Sequence, residues 1–152
     1  MNAFFAFLHH LAAFALVAAL VVEMMLLKDA LDFKAARKLQ IADRIYGLSA
    51  AILLLVGLLR VFYFEKGAGY YFQSAPFIGK LALFVFVGLL SIYPTVKVLS
   101  WRASIKQGQV PDVNAGTLRM MRAVVHLELG GVVFILLFAA LMARGIGFLG
   151  LP

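Results

Sequence analysis

Three ionisable side chains interrupt the first hydrophobic stretch of the sequence, residues 2–27, which contains no Lys, Arg or Asp. They are His9, His10 and Glu23. Ionisable groups in an apolar segment of this length are costly and usually face partner helices. His9 and Glu23 are fourteen positions apart, close to four turns at about 3.6 residues per turn, so they share one helix face. This spacing predicts that His9 faces the interior, where its imidazole could bind a metal or a haem iron.

The composition places these side chains in a membrane protein. Of the 152 residues 64% are hydrophobic, and the mean hydropathy is +1.01, whereas soluble domains are nearer half apolar. The apolar residues are concentrated in four runs that are long enough to cross a bilayer. We therefore predict an all-α integral membrane protein, an up-down four-helix bundle forming one domain over residues 1–152. The predicted spans are residues 3–27, 46–64, 77–99 and 118–143.

The positions of Lys and Arg predict the topology. Segments 28–45 and 97–122 contain five each, and segment 65–76 contains one. The positive-inside rule then places both long loops in the cytoplasm and both termini outward, in the periplasm of a bacterial inner membrane. The same clustering accounts for the net charge of +7 and argues against a nucleic-acid partner. We interpret 28–45 as an interfacial connector, with an early start of the second helix as the alternative.

The predicted topology gathers groups of one sign in the outer third of the membrane. Three helices contribute only His9, His10, Arg60 and Lys80 there, and the nearest acidic residue is Glu65 at the rim. Such a cluster is unfavourable in a low dielectric unless an anion lies within it, such as propionates, a lipid phosphate or an acidic substrate. The alternative is that the arginine and the lysine extend to the outer headgroups.

A second polar cluster is predicted in the inner third, from Glu23, Arg122, His126 and Glu128. Both signs of charge are present, so mutual pairing is the default interpretation, and a proton path or a second ligand site is the alternative. His126 lies too far along the membrane normal from the histidines of the first helix to bind the same iron. The chain has no cysteine, which excludes covalent c-type haem attachment but not haem held by nitrogen ligands.

A haem b group would account for both the histidines and the positive charge of the outer cluster. We predict Lys80 and one of the two adjacent histidines as its axial ligands, because both lie in the outer third. The other predicted contacts are an arginine for a propionate and two glycines that let the macrocycle approach the backbone. The predicted cofactor-binding residues are His9, His10, Gly57, Arg60, Lys80 and Gly88.

Short motifs in all four predicted helices resemble motifs of known families. They are Leu8-His9-His10 with Glu23, Asp43-Arg44-Ile45-Tyr46-Gly47 with Arg60, Phe77-Ile78-Gly79-Lys80, and His126-Leu127-Glu128. In these motifs the chain resembles a family of uncharacterised four-helix bacterial membrane proteins. It is more distantly similar to the haem-binding membrane protoporphyrinogen oxidase family, which has a histidine early in helix 1 and a lysine opening helix 3. That similarity implies haem b and an oxidoreductase that exchanges electrons with a quinone or a porphyrin.

Two other functions remain open at this point. One is a cofactor-free membrane subunit or scaffold, whose charges are paired or reach the headgroups. The other is a small proton-coupled transporter or channel that uses Glu23 and His126. Four helices are few for a transporter, so we expect a homo-oligomer or a membrane partner.

Overall fold

The computed structural model describes residues 2–64 and 67–149, and its elements are helices. In chain order they are α1 (Asn2–Leu26), α2 (Phe33–Leu59), a π-helical turn (Arg60–Phe64), α3 (Ala68–Phe72), α4 (Ala75–Ser100), α5 (Arg102–Lys106) and α6 (Ala115–Ala143). The helices α1, α2, α4 and α6 are long and apolar enough to cross a membrane. The prediction of an all-α protein with four membrane-spanning helices is confirmed.

The start of α2 differs from the interpretation of residues 28–45 as a separate connector, and that interpretation is wrong. The helix begins at Phe33, and the Asp32 side chain caps it by accepting the N–H of Ala35 at 2.6 Å. The 27 residues of α2 extend about 40 Å at about 1.5 Å per residue, longer than a hydrocarbon core of about 30 Å. Its charged first turns can therefore lie beyond the core without ending the helix.

The four long helices form two closely packed pairs, α1 with α2 and α4 with α6. Less extensive contacts between α1 and α6 and between α2 and α4 join the pairs. Buried small residues allow the close approach of α1 and α2, as in other membrane helix pairs. They include Ala12, Ala19, Ala42 and Ser49.

The two ends of the bundle differ in how they are closed. At the end formed by the α1–α2 and α4–α6 connections, here called the loop end, the main hydrophobic core is packed around Leu20, Leu39 and Met121. The opposite end contains the start of α1 and the end of α6 and is called the terminus end. A smaller cluster of Val61, Tyr71 and Phe77 lies there. The outward orientation of the terminus end stays a prediction.

The segment that follows α6 folds back over the terminus end. Its Gly147 carbonyl accepts the N–H of Ala75 at 3.0 Å, and its Leu149 N–H donates to the Gln73 carbonyl at 2.9 Å. Gly147 has a φ of +79°, and a Cβ at this position would lie 2.8 Å from Cδ of Pro76. Both observations explain why glycine stands there.

Gly131 provides a test of the α4–α6 contact. A Cβ at this position would lie 2.5 Å from Cγ2 of Val87, a β-branched side chain with little freedom to move. We expect Gly131→Ala to lower the free energy of unfolding, because overpacking typically costs about 1–3 kcal/mol. The better helix propensity of alanine offsets about 1 kcal/mol of that cost. Thermal unfolding in detergent measures the difference.

The adjacent Gly130 is the matched control, because a Cβ there meets nothing within 4 Å. Gly130→Ala should leave stability unchanged or raise it, and adding Val87→Ala to Gly131→Ala should recover part of the loss. Equal effects of the two glycine substitutions would contradict the described packing of α6 on α4.

Candidate functional site

A cavity of about 270 Å³ lies between the two helix pairs. All four long helices line it, mainly with leucine, valine, alanine and phenylalanine side chains. Its polar lining residues are His9, His10, Tyr46 and Lys80. The volume is near the lower end of small-molecule sites, which range over roughly 300–1,000 Å³.

Part of the cavity lining lies at the surface of the bundle. The exposed lining residues come from all four long helices and are His10, Leu54, Leu58, Gly88 and Leu136. The surrounding surface is apolar, and in a bilayer it faces the acyl chains.

Of the two adjacent histidines, His9 is the one that faces the interior. Its ring packs beside Gly57, where a Cβ would lie 3.4 Å from Cε1, and its buried Nδ1 has no hydrogen-bond partner among the described residues. His10 is exposed, and its Nδ1 is 2.6 Å from the Ala6 carbonyl oxygen. The helical spacing from Glu23 predicts this orientation.

Lys80 and Arg60 bring positive charge to the same end of the cavity. Lys80 is half-buried, lines the cavity, and has its Nζ 5.4 Å from the centroid of the Phe77 ring, a cation–π distance. Arg60 begins the π-helical turn, a feature frequent at functional sites. The positive charges of both residues interact electrostatically with the His9 ring. The predicted outer cluster is therefore assembled here, while Glu65 lies outside the described residues.

The two glycines predicted to admit a macrocycle have different surroundings. At Gly57 the nearest group is the His9 ring, and a Cβ would lie 3.4 Å from its Cε1, which is ordinary van der Waals contact. At Gly88 a Cβ would meet nothing within 4 Å. Both glycines line the cavity, and only Gly88 leaves open space beside the backbone.

The four residues of the second predicted cluster do not come together as one group. Nε of Arg122 donates a hydrogen bond to the carbonyl of Leu27, the residue after α1. This bond supplies a donor at the helix end, where the last carbonyl groups lack partners within the helix. His126 is exposed, and its Nδ1 is 2.7 Å from the Arg122 carbonyl oxygen. The helical face shared by Arg122 and His126 is therefore not the face of α6 that enters the bundle. The expected mutual pairing of this cluster is not what the geometry shows.

Glu23 and Glu128 are brought together instead with Asp43, which the sequence places near the predicted cluster but not in it. These carboxyl groups come from α1, α6 and α2, and their charges interact with one another. A connector over residues 28–45 gives no prediction of which way Asp43 faces. Once α2 is known to begin at Phe33, Asp43 lies on the helix face of the buried residues Ala36 and Leu39.

These features define a four-span membrane protein with an internal, mainly apolar cavity that is basic at one end. No group of three or more His, Cys, Asp or Glu side chains suited to a metal ion occurs in residues 2–64 and 67–149. The chain belongs to the family described as "Predicted membrane protein (DUF2214)", which matches residues 1–147. The resemblance to an uncharacterised membrane family is thus confirmed. Comparisons with curated proteins and with solved structures found no match.

Filling the cavity tests whether it is a true void. Ala50 is half-buried and lines the cavity, whereas the adjacent Ala51 is exposed and does not. We expect Ala50→Leu to raise the free energy of unfolding of the ligand-free protein by about 0.5–2 kcal/mol, the usual gain from filling a cavity. Ala51→Leu should have little effect. A loss of stability in Ala50→Leu alone, measured by thermal unfolding, would show that the space is already filled.

Proposed function

We propose that the protein binds haem b in this cavity and takes part in electron transfer within the membrane, and that His9 and Lys80 would hold the iron. One observation carries the proposal: an inward-facing histidine with an unpaired buried nitrogen and a lysine line the same apolar cavity. The resemblance to the haem-binding oxidase family expected from the sequence motifs would imply the same pair. When bound, a haem supplies one-electron redox chemistry.

The residues around the cavity suit the chemistry of haem. The walls are apolar, as the macrocycle requires, and open space beside Gly88 leaves room for the edge of a flat ring. The cavity is small, but part of its lining is exposed at the surface of the bundle, so a larger ligand could extend beyond it. His9 faces inward with an unpaired ring nitrogen, whereas His10 is exposed, which makes His9 the proposed histidine ligand.

The positive charge at the terminus end supports an anionic group on the ligand. In the ligand-free protein Arg60 and Lys80 repel each other, and both charges interact with the His9 ring. The Lys80 amine must lose its proton to bind an iron, which leaves the Arg60 guanidinium as the cation for an anionic group on the ligand. Gathering like charges in a low dielectric is unfavourable, and an anion placed among them relieves the repulsion. We therefore assign a propionate to Arg60, as the sequence suggests.

The exposed, mainly apolar part of the cavity lining supports an electron partner that is dissolved in the bilayer. A quinone or a porphyrin could approach the cavity from the acyl chains without crossing an aqueous phase. We propose that the protein works in this way in the bacterial inner membrane, with its terminus end outward.

Substitution of the proposed ligands tests this function. The wild type is expressed with haem supplementation, purified in detergent and examined for a Soret band in the oxidised and reduced states. We expect His9→Ala and Lys80→Ala to weaken haem binding by at least about tenfold, because loss of even an outer-shell partner of a metal site typically costs 10–100-fold. His10→Ala and His126→Ala are matched controls and should retain the spectrum.

Added imidazole should restore haem binding to His9→Ala, because the substitution leaves space beside Gly57 for the lost ring. A folded wild type without a Soret band would contradict the proposal and would favour a cofactor-free membrane subunit. An unchanged spectrum in both His9→Ala and Lys80→Ala would show that the haem is held elsewhere.

A further inference from the structure

Three carboxyl groups are buried in the interior, on the loop-end side of the cavity. Glu23 is 4% exposed, Asp43 is 6% exposed and Glu128 is 1% exposed. Burying one ionised carboxylate is costly, and burying several at close range adds mutual repulsion. Their arrangement therefore needs something that removes negative charge.

Unpaired oxygen atoms mark two of these carboxyl groups. Oε1 of Glu23 and Oε1 of Glu128 are fully buried and have no hydrogen-bond partner within residues 2–64 and 67–149. A buried acceptor without a donor is unfavourable, whereas a protonated carboxyl group carries its own donor. Asp43 differs, because its Oδ1 accepts a hydrogen bond from Oγ1 of Thr95 at 2.6 Å.

The basic groups near the carboxyl groups are directed elsewhere. Arg122 donates to the Leu27 carbonyl, and His126 is exposed beside the Arg122 carbonyl. Arg44 is exposed, and its charge acts on Asp43 from the surface of α2. In the described part of the chain, Glu23 and Glu128 have no basic side chain as an ion-pair partner.

Tyr46 connects the carboxyl groups with the cavity. It is buried and lines the cavity. The charges of all three carboxyl groups interact electrostatically with its hydroxyl group. The same hydroxyl group interacts with that of Ser91, which donates to the Gly88 carbonyl at 2.7 Å. Hydroxyl groups both donate and accept, so this side chain can pass a proton from one side to the other.

Asp43 connects the carboxyl groups with the loop end. It lines a second, small pocket of about 10 Å³ together with Gln40, Arg44 and Arg102. This volume is close to the roughly 10–15 Å³ that one water molecule needs. The two arginines are exposed, so the pocket adjoins the protein surface.

We propose that Glu23 and Glu128 form a proton-binding site, which is loaded from the loop end through Asp43 and faces the cavity through Tyr46. A proton on one of these buried glutamates removes negative charge from the interior. The site does not depend on haem, because every group in it belongs to the chain itself. It gives the protein a proton route to whatever ligand the cavity binds.

Infrared spectroscopy of the haem-free protein in detergent tests the site at neutral pH. The chain has only seven Asp and Glu residues, which keeps the carboxyl region of the spectrum simple. We expect a protonated-carboxyl C=O band that shifts in D₂O, is altered in Glu23→Gln and in Glu128→Gln, and is lost when both glutamates are replaced by glutamine. Asp112→Asn, in the exposed segment before α6, is the control and should retain the band.

Exchange kinetics test the route. After transfer to D₂O, Asp43→Asn should slow the shift of the band, whereas Tyr46→Phe should leave it at the wild-type rate. A wild type without a protonated-carboxyl band would overturn the site, and this measurement requires no variant to fold. A band that persists when both glutamates are replaced together would also overturn it. Slow exchange in Tyr46→Phe but not in Asp43→Asn would overturn the entry from the loop end.

Discussion

Close packing of the four long helices in two pairs is the constraint on which the rest of the structure depends. Within each pair, small residues let the helices approach closely, as Gly131 does beside Val87. Between the pairs the contacts are fewer, and the space that remains is the cavity. Membrane helices gain little from burying apolar surface against one another, so shape rather than hydrophobicity determines where they touch.

The cavity separates two groups of charge that would otherwise meet. Imidazole and basic groups lie at its terminus end, and the carboxyl groups lie beyond Tyr46 on the loop-end side. An anionic ligand at the terminus end would offset the positive charge there. A proton bound among the carboxyl groups would reduce the negative charge on the loop-end side. The alternative of a transporter using Glu23 and His126 loses support, because His126 is exposed and does not enter the bundle interior.

Much of the fold follows from the sequence alone. Apolar runs of membrane length determine the four spans, and the fourteen-residue spacing of His9 and Glu23 identifies the inward face of α1. The start of α2 was harder to predict, because charged residues in 33–44 resemble a connector although they form helical turns beyond the hydrocarbon core. The connector interpretation left Asp43 near the predicted inner cluster rather than in it.

Other features of the site depend on packing that a single sequence does not contain. Arg122 and His126 follow helical spacing, yet nothing in the sequence says which face of α6 meets α4. The same holds for Gly57, which lies beside the His9 ring. The fold-back of the segment after α6 onto Gln73 and Ala75 is a backbone pairing with no sequence motif.

Native mass spectrometry of the protein, released from its own membrane in mild detergent without added cofactor, tests the central claim most directly. The expected result is the mass of the chain plus one haem b, with the adduct absent when His9 is replaced by alanine. The chain mass alone, or a phospholipid adduct that persists after this replacement, would contradict a haem site between the two helix pairs.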